Sequence, residues 1–146
     1  MIDNHKQSEL FLSKYGLRTT ACRLAMINLF QTKNFALSQA DIENSIGAEF
    51  DRVTIYRTLK TFQEKGIIHK VLDDVSTPKY ALCPAECYEY KYKHNDTHVH
   101  FKCLHCGQTN CLYELQIPKL TIPQGYLLQE TYFLISGLCK QCNTPK

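Results

Sequence analysis

The stretch DRVTIYRTLKTFQEKG, Asp51 to Gly66, runs directly into IIHKVL, Ile67 to Leu72. Ile55, Leu59 and Phe62 recur at i, i+4 and i+7, so they form one apolar stripe of a helix from about Asp51 to Lys65. Thr54, Tyr56, Arg57, Lys60 and Thr61 fall on the opposite or flanking faces. At Gly66 the helical pattern stops. Two short strands follow, Ile67 to Leu72 and Lys79 to Leu82, joined by an acidic turn through Asp73 and Asp74.

Reading back toward the start gives three more helices. The first spans about His5 to Tyr15 and ends at Gly16, a residue suited to a left-handed cap. The second follows Thr19 and Thr20, either of which can cap it, and carries Leu24, Ile27 and Phe30 at helical spacing. The third opens at Ser38-Gln39-Ala40-Asp41, a capping-box pattern, and closes at Gly47. Helices followed by a β-hairpin make a winged helix-turn-helix, in which the fourth helix enters the major groove. Arg57 then suits bidentate contact with guanine, while Thr54, Tyr56 and Lys60 suit phosphate oxygens. Arg18 and Arg23, flanking the start of the second helix, reach for the backbone in the same way. Any exposed helix carries some such residues, so the order of elements, rather than the residues alone, favours DNA.

The chain has 146 residues, 44% hydrophobic and 21% charged, with a net charge of only +3. Residues 1–82 carry 11 basic and 9 acidic side chains, and residues 83–146 carry 6 and 5. A DNA contact must therefore come from a local face and not from a global field. No run approaches the roughly 20 apolar residues that cross a bilayer, and the polar start is no signal peptide. The expectation is a soluble, cytoplasmic protein with no membrane partner and no small-molecule substrate. There is no nucleophile–base constellation, so an enzyme is not expected.

Eight cysteines need an explanation in a reducing compartment, where stable disulfides are rare. Only Cys22 precedes residue 83, and it reads as a core thiol. The other seven lie from Cys83 onward. This shift predicts an N-terminal DNA-binding domain over 1–83, a hinge or insert over 84–97, and a zinc-stabilised domain over 98–146. The insert is long, aromatic and charged, and contains Cys87 and His94.

Cys103-x-x-Cys106-Gly107 and Cys139-x-x-Cys142 are two C-x-x-C pairs. Each presents two sulfurs from one tight turn, and two such turns complete a tetrahedral site with bonds of about 2.3 Å. Gly107 supplies backbone freedom in the first knuckle, and Gly137 is placed to do the same before the second. A redox dithiol would use a single pair in a βαβ setting. A zinc deaminase would need Glu where His100 stands and Pro where Lys102 stands. Just upstream, His98 and His100 stand at i and i+2, so in a strand both imidazoles face one way.

These stretches resemble the ferric-uptake-regulator (Fur) superfamily of metal-sensing repressors. The matching segments are Leu17 to Arg23, Val53 to Leu59 running on to Ile68, His98 to Gly107, and Gly137 to Cys142. They occur in family order across about residues 8–142. The resemblance implies an α+β homodimer, with an N-terminal winged helix and a small C-terminal α/β dimerisation domain holding the structural zinc. It also implies binding to a palindromic double-stranded DNA operator, strengthened by a second, sensory metal near the hinge.

Iron-, manganese- and peroxide-sensing members complete that second site with His and carboxylates. The corresponding positions here are Ala36, Ala81 and Cys111. The zinc-uptake-regulator (Zur) branch instead has a wing His or Asp and a Cys after the wing, matched by His69 and Cys83. The expected sensory zinc site is therefore His69, Cys83, His98 and His100, with Cys111 as a fifth candidate or substitute. A thiolate with imidazoles favours zinc over iron(II) or manganese(II). The alternatives are an iron- or peroxide-responsive member, and a structural-zinc module that binds protein instead of DNA. The family's longer helix after the first dimerisation strands is not expected here, because Pro118 and Pro123 interrupt Gln116 to Gln124. Strands are expected at Tyr126 to Leu128 and Tyr132 to Ile135, and they would carry the dimer interface.

Overall fold

A computed structural model describes residues 4–71, 77–83, 98–129 and 131–144. Four helices come first: α1 (Asn4–Lys14), α2 (Ala21–Thr32), α3 (Gln39–Ile46) and α4 (Arg52–Glu64). Their starts are set by side chains that satisfy otherwise unpaired amides. Thr20 Oγ1 accepts from the Arg23 N–H at 3.3 Å. Ser38 and Asp41 form a reciprocal capping box, with distances of 3.1 and 2.9 Å. Asp51 accepts from the Thr54 N–H at 2.7 Å. At its other end α4 is closed by the Ile67 N–H, which donates to the Phe62 carbonyl at 2.9 Å.

The helices enclose one core in which Leu12, Met26, Ile27, Ile42, Ile55 and Phe62 are fully buried. Each such side chain contributes roughly 1.5–3 kcal/mol relative to exposure. Cys22 lies in this core, as its sequence context suggested, and receives the Thr58 hydroxyl at 3.5 Å. Ile55, Leu59 and Phe62 face inward together, which leaves Thr54, Tyr56, Arg57 and Lys60 of α4 exposed.

The hairpin is β2 (Ile68–Val71) and β3 (Lys79–Leu82), with Ile68 opposite Leu82 and His69 opposite Ala81. A third strand, β1 (Leu37–Ser38), pairs with the far edge of β3 in the order β1-β3-β2. The sequence reading missed β1, since two residues cannot display a period. The acidic turn at Asp73 and Asp74 lies outside the described residues, as does 84–97 with Cys87 and His94.

The second sheet contains β4 (Val99–Cys103), β5 (Thr109–Leu112) and β6 (Phe133–Gly137) in the order β5-β4-β6. β4 runs antiparallel to β5 and parallel to β6. Among the described residues the α+β class thus arises from four helices and two separate sheets. Among the described residues from His98 onward every regular element is a strand, so the helical share lies in the first half. The described residues between β5 and β6 hold no helix, in keeping with Pro118 and Pro123.

The strand expected at Tyr126 to Leu128 is not formed. The Tyr126 N–H instead donates to the Pro123 carbonyl at 3.2 Å, closing a local turn that uses the amide a ladder would need. The strand expected from Tyr132 is present one residue later, as β6.

β5 lies against the outer face of the winged sheet. The Ala36 N–H donates to the Thr109 carbonyl at 2.8 Å, and Lys79 Nζ donates to the Gly107 carbonyl at 3.1 Å. Ala36, Val71 and Ala81 form a small apolar cluster there, with Cys111 packed on it. Among the described residues no helix is long and apolar enough to cross a membrane.

Two candidate metal centres and a candidate DNA face

β4 carries parts of both metal-ligand clusters. His100 and Cys103 are three residues apart on it, so they project to opposite faces. At its C-terminal end Cys103 is paired in register with Gly137, which brings the second C-x-x-C turn beside the first. The sulfurs of Cys103, Cys106, Cys139 and Cys142 all lie within 4.8 Å of one another. Cys106 and Cys139 Sγ are 3.9 Å apart. A tetrahedron with metal–sulfur bonds of about 2.3 Å spaces its sulfurs by about 3.8 Å, so the donor set fits a zinc-sized ion.

Backbone amides polarise this cluster. The N–H groups of Cys106 and Cys139 hold the Cys103 thiol at about 5, well below the usual thiol range. Cys142 is pushed up to about 12, chiefly by its hydrogen bond with Cys139. Four thiols this close cannot all ionise without a cation between them. Gly107 has φ +77, the left-handed conformation that the knuckle reading required. Gly137 does not share that conformation. A Cβ there would come within 3.2 Å of the Phe101 ring, so its part is close approach of β6 to β4.

The second cluster lies where the outer face of the wing meets β5. His69, His98, His100 and Cys111 place their ligand atoms within 4.8 Å of one another. Three elements position them: His69 stands on β2, His98 immediately before β4 and His100 within it, and Cys111 on β5 directly opposite His100. The three imidazoles are at most 8% exposed. His98 and His100 meet edge to face with centroids 4.4 Å apart, and His69 and His98 do so at 4.9 Å.

Among the described residues His98 Nε2 is buried and has no hydrogen-bond partner, an arrangement that costs free energy unless an ion takes the lone pair. Burial, and next the neighbouring His100, push its imidazole down to about 4, so it is neutral at physiological pH. A neutral imidazole is the form that ligates metals.

The geometry alters the membership expected from sequence. Cys111 stands in the mutually close set, and Cys83 stands beside it. His69 has Cys111 Sγ 3.4 Å from Nε2 and Cys83 Sγ 3.4 Å from Nδ1. Cys83 is thus placed behind His69, where it can orient the ring. Counting residues beyond the knuckle locates Cys111 in the sequence, but only the docking of β5 on the wing brings it to His69. Ala36 and Ala81, where a His and a carboxylate would complete a harder donor set, are buried in the adjoining apolar cluster. Tyr113, which sequence reasoning did not single out, packs on His98 with centroids 4.5 Å apart. A lone exposed-type aromatic beside a strand gives no sequence signal for such a contact.

Three of the candidate DNA residues, Arg23, Thr54 and Arg57, gather at one place. A groove of about 420 Å³ runs between the start of α2 and α4, lined in part by Thr20, Arg23, Thr54, Arg57 and Thr61. Arg23 is tied there by a 2.8 Å hydrogen bond from its guanidinium to the Arg18 carbonyl. Arg18 is exposed nearby in sequence, and Tyr56 and Lys60 are exposed on α4 outside the groove lining.

A family profile described as the ferric uptake regulator family matches residues 14–122. The chain belongs to the ferric uptake regulator family. It is therefore a metal-responsive transcription regulator and not an enzyme. The chain is 27% identical over 139 residues to the ferric uptake regulation protein of Neisseria meningitidis, covering 90% of each. It is 26% identical over 143 residues to the zinc uptake regulation protein of Escherichia coli K12, covering 93% of this chain and 79% of that protein.

Solved structures share the fold. A zinc uptake regulator complexed with zinc and DNA superposes with a TM-score of 0.61 at 22% identity, covering 94% of this chain and 91% of that one. The Vibrio cholerae ferric uptake regulator gives 0.59 at 19% identity, with 90% and 98% covered. The fold of this ferric uptake regulator family member is thus the one seen in those structures, and both of its clusters are capable of holding metal.

Proposed function

We propose that this regulator is a zinc-responsive repressor, with Cys103, Cys106, Cys139 and Cys142 as a structural zinc site and His69, His98, His100 and Cys111 as the sensory site. Cys83 acts behind His69 or exchanges with Cys111 as the sulfur donor. The observation that carries this reading is the donor set: three buried imidazoles and a thiol, with alanines at 36 and 81 in place of harder ligands. Sulfur and imidazole donors suit zinc, whereas carboxylate-rich sites suit iron(II) and manganese(II).

The sensory residues come from the wing on one side and from β4 and β5 on the other. An ion held among them stabilises the arrangement in which the two parts are docked. In a homodimer this fixes the separation of the two α4 helices against a palindromic operator. Metal and DNA then favour each other by the same factor. The division at 83 and 98, a cytoplasmic setting, and contacts to DNA through Arg18, Arg23, Thr54, Tyr56, Arg57 and Lys60 belong to the same proposal. The target genes would be those for zinc acquisition, silenced when zinc is in excess.

An iron-responsive role is the competing reading, since ferric uptake regulation proteins recur among the relatives. The deciding experiment is metal analysis of the purified dimer, followed by binding to DNA selected from a random pool in the presence of zinc, manganese or iron(II). Two zinc ions per chain, one removable by chelator, with DNA binding restored by zinc alone, is the expected result. Restoration by iron(II) or manganese(II) at lower free concentration than zinc would overturn it. Absence of selected DNA with every metal would point instead to a protein-binding module.

A further inference from the structure

Tyr113 follows β5 directly, two residues beyond Cys111, and is 46% exposed, yet both ends of its side chain are engaged. Its ring lies on His98, with centroids 4.5 Å apart and planes inclined by 32°. Its hydroxyl donates to the Leu82 carbonyl at 3.4 Å. Leu82 is the last residue of β3, and the next amide, Cys83 N–H, donates to the Ile67 carbonyl at 2.9 Å. One side chain therefore spans from a candidate metal ligand to the end of the wing. Tyr113 and Cys111 also line the same groove of about 380 Å³, together with Ala36, Ala81 and Leu82.

We infer that Tyr113 is a positioning residue for the sensory site, its ring holding His98 toward His69 and Cys111 and its hydroxyl tying that site to the end of the wing. This rests on the zinc reading above. Outer groups that orient a ligating His commonly change metal affinity by roughly 10–100-fold when removed. The ring and the hydroxyl have separable parts. The ring governs how His98 is presented, and the hydroxyl governs how firmly the end of β3 follows the site.

The test uses the full-length dimer, with zinc alone titrated against a chromophoric chelator. Tyr113→Ala is expected to weaken the removable zinc by roughly tenfold or more. Tyr113→Phe, which keeps the ring, should restore affinity to within about threefold while the Cys83 amide exchanges about threefold faster than in the zinc-loaded parent. Cobalt(II) in the removable site gives a second readout: its visible spectrum should change in Y113A and return in Y113F. Tyr113→Leu replaces Y113A if the alanine variant is poorly folded.

Parent-like zinc affinity and cobalt spectrum in Y113A, with affinity lost in C111S, would overturn the role of Tyr113 and leave the site standing. If C111S and the double variant C83S/C111S both keep parent affinity, the site assignment itself fails and Tyr113 falls with it.

Discussion

His69 and Cys111 stand 42 residues apart in the chain and meet with Nε2 and Sγ separated by 3.4 Å. This contact joins the wing to β5, so any ion held there reports on whether the two sheets are docked. It also ranks the sulfurs. Cys111 should matter most for affinity and Cys83 less, because Cys83 faces the other ring nitrogen of His69. Cys111→Ser is expected to lower zinc affinity of the removable site by roughly 10–100-fold, and Cys83→Ser by less, in chelator competition. The reverse order would place Cys83 in the site and Cys111 behind it.

The four-cysteine site has a different role and a different signature. Loss of one ligand leaves three crowded sulfurs and an incomplete shell. Cys103→Ser is expected to abolish the chelator-resistant zinc and to lower Tm by on the order of 10 °C or more, because structural zinc contributes directly to folding. The check is metal content with thermal unfolding. An unchanged Tm in a zinc-free variant would show that the β5-β4-β6 sheet stands without the ion.

Arg57 is exposed on α4 and lines the groove shared with Arg23. Arg57→Ala should reduce affinity for selected DNA by about 1–3 kcal/mol with little change in stability. If it contacts phosphate rather than a base, the loss will be uniform across sequences and the salt slope will fall by about one. Binding competition between specific and random duplexes at two salt concentrations separates the cases. Unchanged affinity would remove α4 from the DNA face.

Asp51 caps α4, and its hydrogen bonds with Thr54 hold the carboxyl below its ordinary value of 3.8. With the folded value depressed, the unfolded chain takes up the proton first as pH falls. The stabilisation is therefore present above 3.8 and is lost as pH drops through the folded value. Asp51→Ala should lower Tm at pH 7, and the gap between parent and variant should narrow as the medium is acidified below 3.8. A gap that stays constant across that range would mean that the ionised carboxyl contributes nothing to the cap.

Much of the molecule is legible from local chemistry. The stripe of Ile55, Leu59 and Phe62, the capping box of Ser38 and Asp41, and the C-x-x-C knuckles each state their structure within a few residues. Helical period, amide capping and tight-turn geometry are all short-range effects. The prolines at 118 and 123 likewise argued correctly against a helix, because the missing N–H and the fixed φ act where the residue stands. Tyr126 to Leu128 misled because an apolar run does not reveal whether its amides will find a ladder or a turn.

By itself, then, the sequence determined the helices, the hairpin, the cysteine scaffold and the family resemblance. Only the tertiary structure decided that Cys111 and Cys83 meet opposite ring nitrogens of His69, that β1 completes the winged sheet, and that Tyr113 reaches from His98 to Leu82. Those contacts are set by the docking of β5 on the outer face of the wing, through Thr109, Cys111 and the buried alanines at 36 and 81. Docking depends on the summed shape of two surfaces distant in the chain, and no period, cap or spacing in either one records it.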